Sequence, residues 1–247
     1  MTSATRLVSV VVDAADPPAL ARWWARTLGW QVSYEDEHES DVAPGPDAGP
    51  GIELVFVPVA DPKAGPNRVH LDLPSPDVAA QRRRVEDLLT AGAARVPGRE
   101  PTPWDVLADP EGNEFCVLDP RPGYAGTGAV AAVVVQARDP RRLGAFWVDA
   151  SGWAGGSVHE GVVALRQAGT GPFLEFVASP APTPGKNRWH LDLRATSDGP
   201  GRAAALAGLL AAGARTVDVG QVGNAEVTWD VLADPEDNEF CLLRGTV

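Results

Sequence analysis

Two segments of the chain each carry a histidine and an aspartate one residue apart, a pair that can do chemistry. The first is NRVHLDL, with His70 and Asp72, and the second is NRWHLDL, with His190 and Asp192. Side chains alternate along a strand, so the interleaved Val, Trp and Leu residues are predicted to pack under helices while each histidine and aspartate face the other side. Such a pair can contact a ligand or metal, or it can be a buried histidine satisfied by the aspartate.

A thiol and a carboxylate accompany each pair. Cys116 in NEFCVL and Cys241 in NEFCLL alternate with apolar residues, so both are predicted to face the same side as the histidines. Glu53 in IELVFV and Glu175 in FLEFV lean inward as well, although they align two residues apart. Each cysteine is either an inert core residue or, beside a histidine, a reactive thiolate. The two expected clusters are His70, Asp72, Glu53 and Cys116, and His190, Asp192, Glu175 and Cys241.

An internal repeat explains why these residues occur twice. VVVDAADPPALARWWARTLGW returns as VVVQARDPRRLGAFWVDASGW, and DVLADPEGNEFCVL returns as DVLADPEDNEFCLL with two of its fourteen positions changed. The matches keep their order and nearly constant spacing, which indicates tandem domains. The Gly- and Pro-rich segment PRPGYAGTG joins them. We predict domains over residues 1–120 and 129–247, with a linker over residues 121–128.

Each half alternates strand and helix signals. Residues 6–13 are Val-rich and predict a strand; Asp16 predicts a helix N-cap, and Gly29 a helix end. Residues 35–51 are expected to be an acidic loop, followed by the strand IELVFVPV. A second cycle, with a helix near residues 77–91, closes on a hairpin around the DPEG turn. The predicted order is strand, helix, strand, strand, twice in each half.

Composition limits the classes of partner. The net charge of −12 and the pI near 4.7 argue against nucleic acid and against an anionic membrane surface. The N-terminal segment is predicted to be neither a secretory signal nor a membrane span, so we expect a cytoplasmic protein. We expect it to be a monomer with an internal pseudo-dimer, or a homodimer.

With HLDL and DPEGNEFCVL, this order of elements makes the chain resemble the vicinal oxygen chelate superfamily, in its glyoxalase-like and bleomycin-resistance-like branch. The resemblance covers nearly the full length of both halves. It implies an α+β fold of two tandem glyoxalase-like domains, each a pair of βαββ units that form a curved, incomplete barrel with the ligand or metal on its concave side. Sites in this superfamily form within a domain or between exchanged units, so which units pair stays open.

The resemblance to the metal-dependent members implies a pattern of four metal ligands: His or Gln, Glu, His and Glu. The matching positions in this chain are Ser9, Glu53, His70 and Cys116, and Ala132, Glu175, His190 and Cys241. Ala132 offers no ligand atom, and a cysteine must lose its proton to bind. We therefore expect no resident cofactor. A divalent metal stays possible, and the resemblance assigns it to Glu53, His70 and Cys116.

Three hypotheses for function follow. The first is metal-free binding of a small hydrophobic or planar molecule in the concave cavity, and the second is a metal-dependent lyase, isomerase or dioxygenase acting on a small oxygenated substrate. The third is a pair of domains with no ligand chemistry. Trp104 and Trp229 are expected either in the core or at the cavity rim, where an aromatic ring stacks on a planar ligand. The predicted cavity residues are Ser9, Glu53, His70, Asp72, Trp104, Cys116, Glu175, His190, Asp192, Trp229 and Cys241.

Overall fold

A computed structural model describes residues 3–98, 101–159, 161–167, 169–179, 183, 185–220 and 227–247. Four α-helices lie in these ranges: α1 (Pro17–Leu28), α2 (Val78–Thr90), α3 (Pro140–Ser151) and α4 (Arg202–Ala211). The Asp16 side chain accepts a hydrogen bond from the Ala19 amide, and Gly29 ends α1 at a φ of 66°. Both predicted helix boundaries are confirmed. Among the described residues, no helix is long and apolar enough to cross a membrane.

The strands divide into four units, each with one helix and four strands. Unit 1 contains β1 (Thr5–Ala14), β2 (Gln31–Glu35), β3 (Ser40–Ala43) and β4 (Glu53–Pro58); unit 2 contains β5 (Val69–Leu73), β6 (Ala94–Arg95), β7 (Asp105–Ala108) and β8 (Glu114–Val117). Unit 3 contains β9 (Ala132–Ala137), β10 (Val158–His159), β11 (Val162–Arg166) and β12 (Phe173–Ala178). Unit 4 contains β13 (Trp189–Ala195), β14 (Arg215–Thr216), β15 (Asp230–Ala233) and β16 (Glu239–Thr246).

Each unit thus has one short strand more than the sequence pattern predicts. The prediction of a loop over residues 35–51 is wrong in its middle, where β3 pairs with β2 and β4. Ser40 and Val42 are fully buried on the helix side of this strand. The alternation of buried and partly exposed residues in β3 is only four residues long. Such a short pattern does not stand out in an acidic segment, so the strand was not predicted.

The strands form two eight-stranded sheets, and each sheet combines one unit from each half of the chain. The first sheet joins units 1 and 4 in the order β14-β15-β16-β13-β1-β4-β3-β2. The second sheet joins units 3 and 2 in the order β10-β11-β12-β9-β5-β8-β7-β6. Antiparallel pairs β1–β13 and β5–β9 make the two joins. Neither sheet closes into a barrel, and the predicted α+β class of open, curved sheets is confirmed.

The apolar faces of both sheets and their helices share one core. Trp24 of α1 contacts Phe115 of unit 2 at 5.2 Å between ring centroids and Trp189 of unit 4 at 5.7 Å. Trp147 of α3 makes the corresponding contact with Phe240 at 5.3 Å. Six tryptophans are buried in this core: Trp23, Trp24, Trp30, Trp147, Trp153 and Trp189. Because aromatic contacts cross between units, the two halves are packed as one body.

The repeated DPE turn fastens neighbouring units together. The Asp109 carboxylate accepts hydrogen bonds from the Glu111 and Asn113 amides and from Trp24 Nε1 of α1. The Glu111 carboxylate accepts from the Ala15 and Asp16 amides immediately before that helix. In the other half, Asp234 and Glu236 make the equivalent bonds to Trp147 and to the chain entering α3. The motif predicted as a turn is therefore also a clamp on a helix of a different unit.

Candidate functional site

A cavity of about 620 Å³ lies over the concave face of the second sheet. His70 and Asp72 line it, while Leu71 between them is fully buried on the helix side. The predicted strand register is therefore confirmed. Apolar and aromatic side chains make most of the lining: Trp104, Val106, Leu118, Tyr124, Val134, Val162, Ala164, Phe173 and Val177.

His70, Asp72 and Cys116 meet on one wall of this cavity. One ligand atom of each lies within 4.8 Å of the others, and His70 Nε2 is 3.5 Å from Asp72 Oδ1. Strand pairing sets Asp72 of β5 directly beside Cys116 of β8. Asp72 is buried, and its Oδ1 atom has no hydrogen-bond partner. A buried carboxylate oxygen without a donor is costly, so this atom points to a missing partner.

Glu175 brings a second carboxylate into the cavity from β12. Glu175 and His70 lie on the two strands that flank β9, and Val134 of β9 pairs with both residues. Burial, followed by the nearby charge of Asp72, raises the pKa of Glu175 to about 7. The Tyr124 hydroxyl lies 3.1 and 3.2 Å from the two carboxylate oxygens and donates a hydrogen bond to them. Burial and the Glu175 charge hold the pKa of Tyr124 well above its usual value.

Tyr124 and Arg121 come from the predicted linker, and sequence reasoning missed both. Tyr124 ends a short 3₁₀-helix (Pro122–Tyr124), and its ring packs edge-on against Phe173 at 5.9 Å. The Arg121 guanidinium lies 5.2 Å from the Trp104 ring centroid and bonds Asp119 at 2.7 Å. Trp104 is half-buried and lines the cavity. A single aromatic residue in a Gly-rich stretch, Tyr124, was the available signal.

The first sheet carries the matching cluster of His190, Asp192 and Cys241. One ligand atom of each lies within 4.8 Å of the others, with His190 Nε2 3.5 Å from Asp192 Oδ1 and 3.6 Å from Cys241 Sγ. Burial lowers the pKa of His190 to about 4 and raises that of Asp192 to about 7. Burial and then the Asp192 charge raise the pKa of Cys241 well above its usual value. His190 and Cys241 are therefore uncharged near neutral pH, where Asp192 is partly protonated.

The expected partition of the two glutamates is wrong. Glu53 lies in the first sheet, where Ser9 pairs with both Glu53 and Asp192, and Asp192 pairs with Cys241. Glu175 lies in the second sheet with His70. The exchange follows from unit pairing, since β4 neighbours β1, and β1 joins β13 of the other half. Trp229 is half-buried just before β15 of the first sheet.

The same pairing separates the residues that the resemblance assigned to a metal. Glu53 lies in the first sheet, whereas His70 and Cys116 lie in the second. In the second sheet the third potential ligand is instead Asp72, which the resemblance did not include among the metal ligands. Imidazole, carboxylate and thiol donors together are typical of zinc sites. Ala132, which pairs with Asp72, adds no donor on the neighbouring strand.

Comparison with known proteins supports the fold. Residues 9–118 and 132–243 each match the family described as glyoxalase-like domain. No curated protein matches the chain. Glyoxalase I from Zea mays superposes with a TM-score of 0.65 at 15% identity, covering 96% of this chain and 92% of that one. A putative dioxygenase from Bacillus subtilis subsp. subtilis str. 168 gives a TM-score of 0.58 at 14% identity, covering 98% and 86%.

Proposed function

Since the chain belongs to the glyoxalase-like domain family, with two copies in tandem, we propose that it binds a small, largely apolar molecule in the cavity over the second sheet without a resident metal. The cavity itself carries this proposal. Its volume of about 620 Å³ lies within the range of small-molecule sites. Its lining is mainly aliphatic and aromatic with a few convergent polar groups, the usual composition of such sites.

The metal-free part of the proposal is supported by the donors. Ala132 on the neighbouring strand adds no donor to His70, Asp72 and Cys116, so a metal here would need the thiol as its third protein ligand. A cysteine ligand must also give up its proton, which makes metal affinity pH-dependent. In the first sheet that cost is raised further, because burial raises the pKa of Cys241.

The test uses 1-naphthalenemethanol as a neutral aromatic probe, with isothermal titration calorimetry of the full chain. We expect saturable binding with a Kd of about 0.1–1 mM, from about 0.4 kcal/mol for each of its twelve non-hydrogen atoms. Ala164 lines the cavity. The substitution Ala164→Phe fills part of that space and is expected to weaken binding. Val148→Phe adds the same ring to the exposed outer side of α3 and is expected to bind as the wild type. Absence of saturable binding, or equal affinity in Ala164→Phe, would refute the proposal.

A metal-dependent enzyme is the second candidate function, and one observation favours it. The unpartnered Asp72 Oδ1 lies beside His70 Nε2 and near Cys116. These three residues would hold a divalent ion, which would polarise an oxygen atom of a bound substrate. Glu175, oriented by the Tyr124 hydroxyl, would then accept or return a proton at its carboxylate.

Elemental analysis separates the two candidates. Protein purified without added metal is expected to contain well under one equivalent of zinc, nickel, manganese or iron per chain. Stoichiometric metal that survives dialysis against a chelator, and is lost in His70→Ala and Asp72→Ala, would exclude the metal-free proposal. The equivalent substitution His190→Ala in the first sheet shows which cluster holds the ion.

A further inference from the structure

The two carboxylates in the cavity over the second sheet have fewer hydrogen-bond donors than acceptor oxygens. Asp72 and Glu175 are each only 8% exposed. Asp72 Oδ1 has no hydrogen-bond partner. The Tyr124 hydroxyl is shared between both oxygens of Glu175, yet a hydroxyl has one hydrogen and satisfies one acceptor at a time. The pair therefore has unused acceptor capacity directed at an apolar space.

The one guanidinium at the cavity is hydrogen-bonded to a different carboxylate. Among its described lining residues, Arg121 is the one lysine or arginine, and its guanidinium donates two hydrogen bonds to Asp119. The other described lining residues with a basic side chain are His70 and His159. Asp72 and Glu175 thus face the cavity without a lysine or arginine hydrogen-bonded to either carboxylate among the described lining residues. Burying unpaired carboxylates is unfavourable until a cation or a donor reaches them.

The aromatic residues of the cavity add to the same preference. The face of an aromatic ring attracts cations. Two rings already do so here, since Arg166 lies 4.7 Å from the Phe173 centroid and Arg121 lies 5.2 Å from that of Trp104. Tyr124 packs beside Phe173 at the cavity wall, next to Glu175. Aromatic surface and buried carboxylates thus occur together.

We propose that the cavity selects an organic cation, an apolar or aromatic molecule whose ammonium group is held by Asp72 and Glu175. This inference rests on the proposed function, because it names the ligand class of the same cavity. A neutral ligand without donors would leave both carboxylates unpaired, and an anionic one would be repelled by them. An ammonium group supplies the missing donors and the missing positive charge at once.

The experiment compares three probes of one shape and different charge: 1-naphthylmethylamine, 1-naphthalenemethanol and 1-naphthoate. Titrations are run at pH 8 with a chelator present, so that histidine protonation and bound metal contribute little. We expect the amine to bind at least about tenfold more tightly than the alcohol, since a hydrogen bond to a charged group is commonly worth that factor. The carboxylate is expected to bind most weakly.

Isosteric variants locate the effect. Glu175→Gln and, as a second variant should the first not fold, Asp72→Asn are each expected to remove most of the preference for the amine over the alcohol. Glu86→Gln, which makes the same change in charge on the exposed side of α2, is expected to keep it. Equal binding of all three probes, or an amine preference that persists in both cavity variants, overturns this inference and leaves the proposed function standing. Failure of all three probes to bind overturns the proposed function and this inference with it.

Discussion

Removing the carboxylate of Glu236 should destabilise the whole chain. Glu236 belongs to the DPE turn of unit 4 and is 5% exposed. Its two oxygens accept hydrogen bonds from the Arg138 amide at 2.6 Å and the Asp139 amide at 2.7 Å. Both amides immediately precede α3 of unit 3, where a negative charge also interacts favourably with the helix dipole. Glu236→Ala leaves both amides without these acceptors.

The size of the effect follows from these contacts. A hydrogen bond to a charged group contributes about 1.5–3 kcal/mol, and water entering the vacated space keeps the loss near the lower bound. We therefore expect Glu236→Ala to lower the free energy of unfolding by about 3 kcal/mol, which for a chain of this length lowers Tm by about 6–12 °C. Glu236→Gln keeps one acceptor oxygen and no charge, so about half of that loss is expected.

Thermal unfolding followed by circular dichroism and by tryptophan fluorescence measures the loss. Asp237→Asn is the matched control, because Asp237 is the next residue, bonds Arg215 on the surface at 2.7 Å and has a φ of 69° that asparagine tolerates. A surface ion pair of this kind contributes about 0–1 kcal/mol. A Tm for Glu236→Ala within 2 °C of wild type, or no lower than that of Asp237→Asn, would show that the clamp between units 3 and 4 does not stabilise the fold.

Three further predictions concern unit pairing and Glu175. A fragment of residues 1–120 is expected to be unfolded or dimeric and never a folded monomer, since β1 and β5 pair with strands of the other half; light scattering after size exclusion decides this. The pKa of Glu175, raised to about 7 by burial and by Asp72, means that its contribution to stability is complete below about pH 4 and is lost as the pH rises through 7. Urea titrations should show that the free energy of unfolding falls by about 1 kcal/mol from pH 6.5 to 8 because Glu175 ionises. Glu175→Gln should not show this fall. Tyr124→Phe removes a hydrogen bond that lowers this pKa, so carboxyl resonances in NMR should titrate at higher pH than in wild type, and an unchanged midpoint would contradict the contact.

The sequence predicts the helices, the strands and the side of each strand that faces the cavity, because these depend on local patterns. Alternation of apolar and polar residues places His70 in the cavity and Leu71 beneath the helices, as observed. Side-chain capping and a left-handed glycine fix both ends of α1. Each of these features depends on residues within a few positions of one another.

Pairing of the units is not a local property, and it is there that sequence reasoning fails. β1 and β9 have similar Val-rich sequences. The repeat therefore does not indicate which unit each strand pairs with. That choice moves Glu53 to the first sheet and Glu175 to the second. Tyr124 was missed for a related reason: its partner Glu175 is 51 residues away, across the join between units 2 and 3.

Ligand location tests the central claim most directly. Crystals of the full chain are soaked with 1-naphthylmethylamine at saturating concentration, and the bound molecule is located by its electron density. The account predicts one naphthyl ring in the cavity over the second sheet, against Tyr124 and Phe173, with its nitrogen within hydrogen-bond distance of Asp72 or Glu175. Density only over the first sheet, or none in the cavity at saturation, would contradict it.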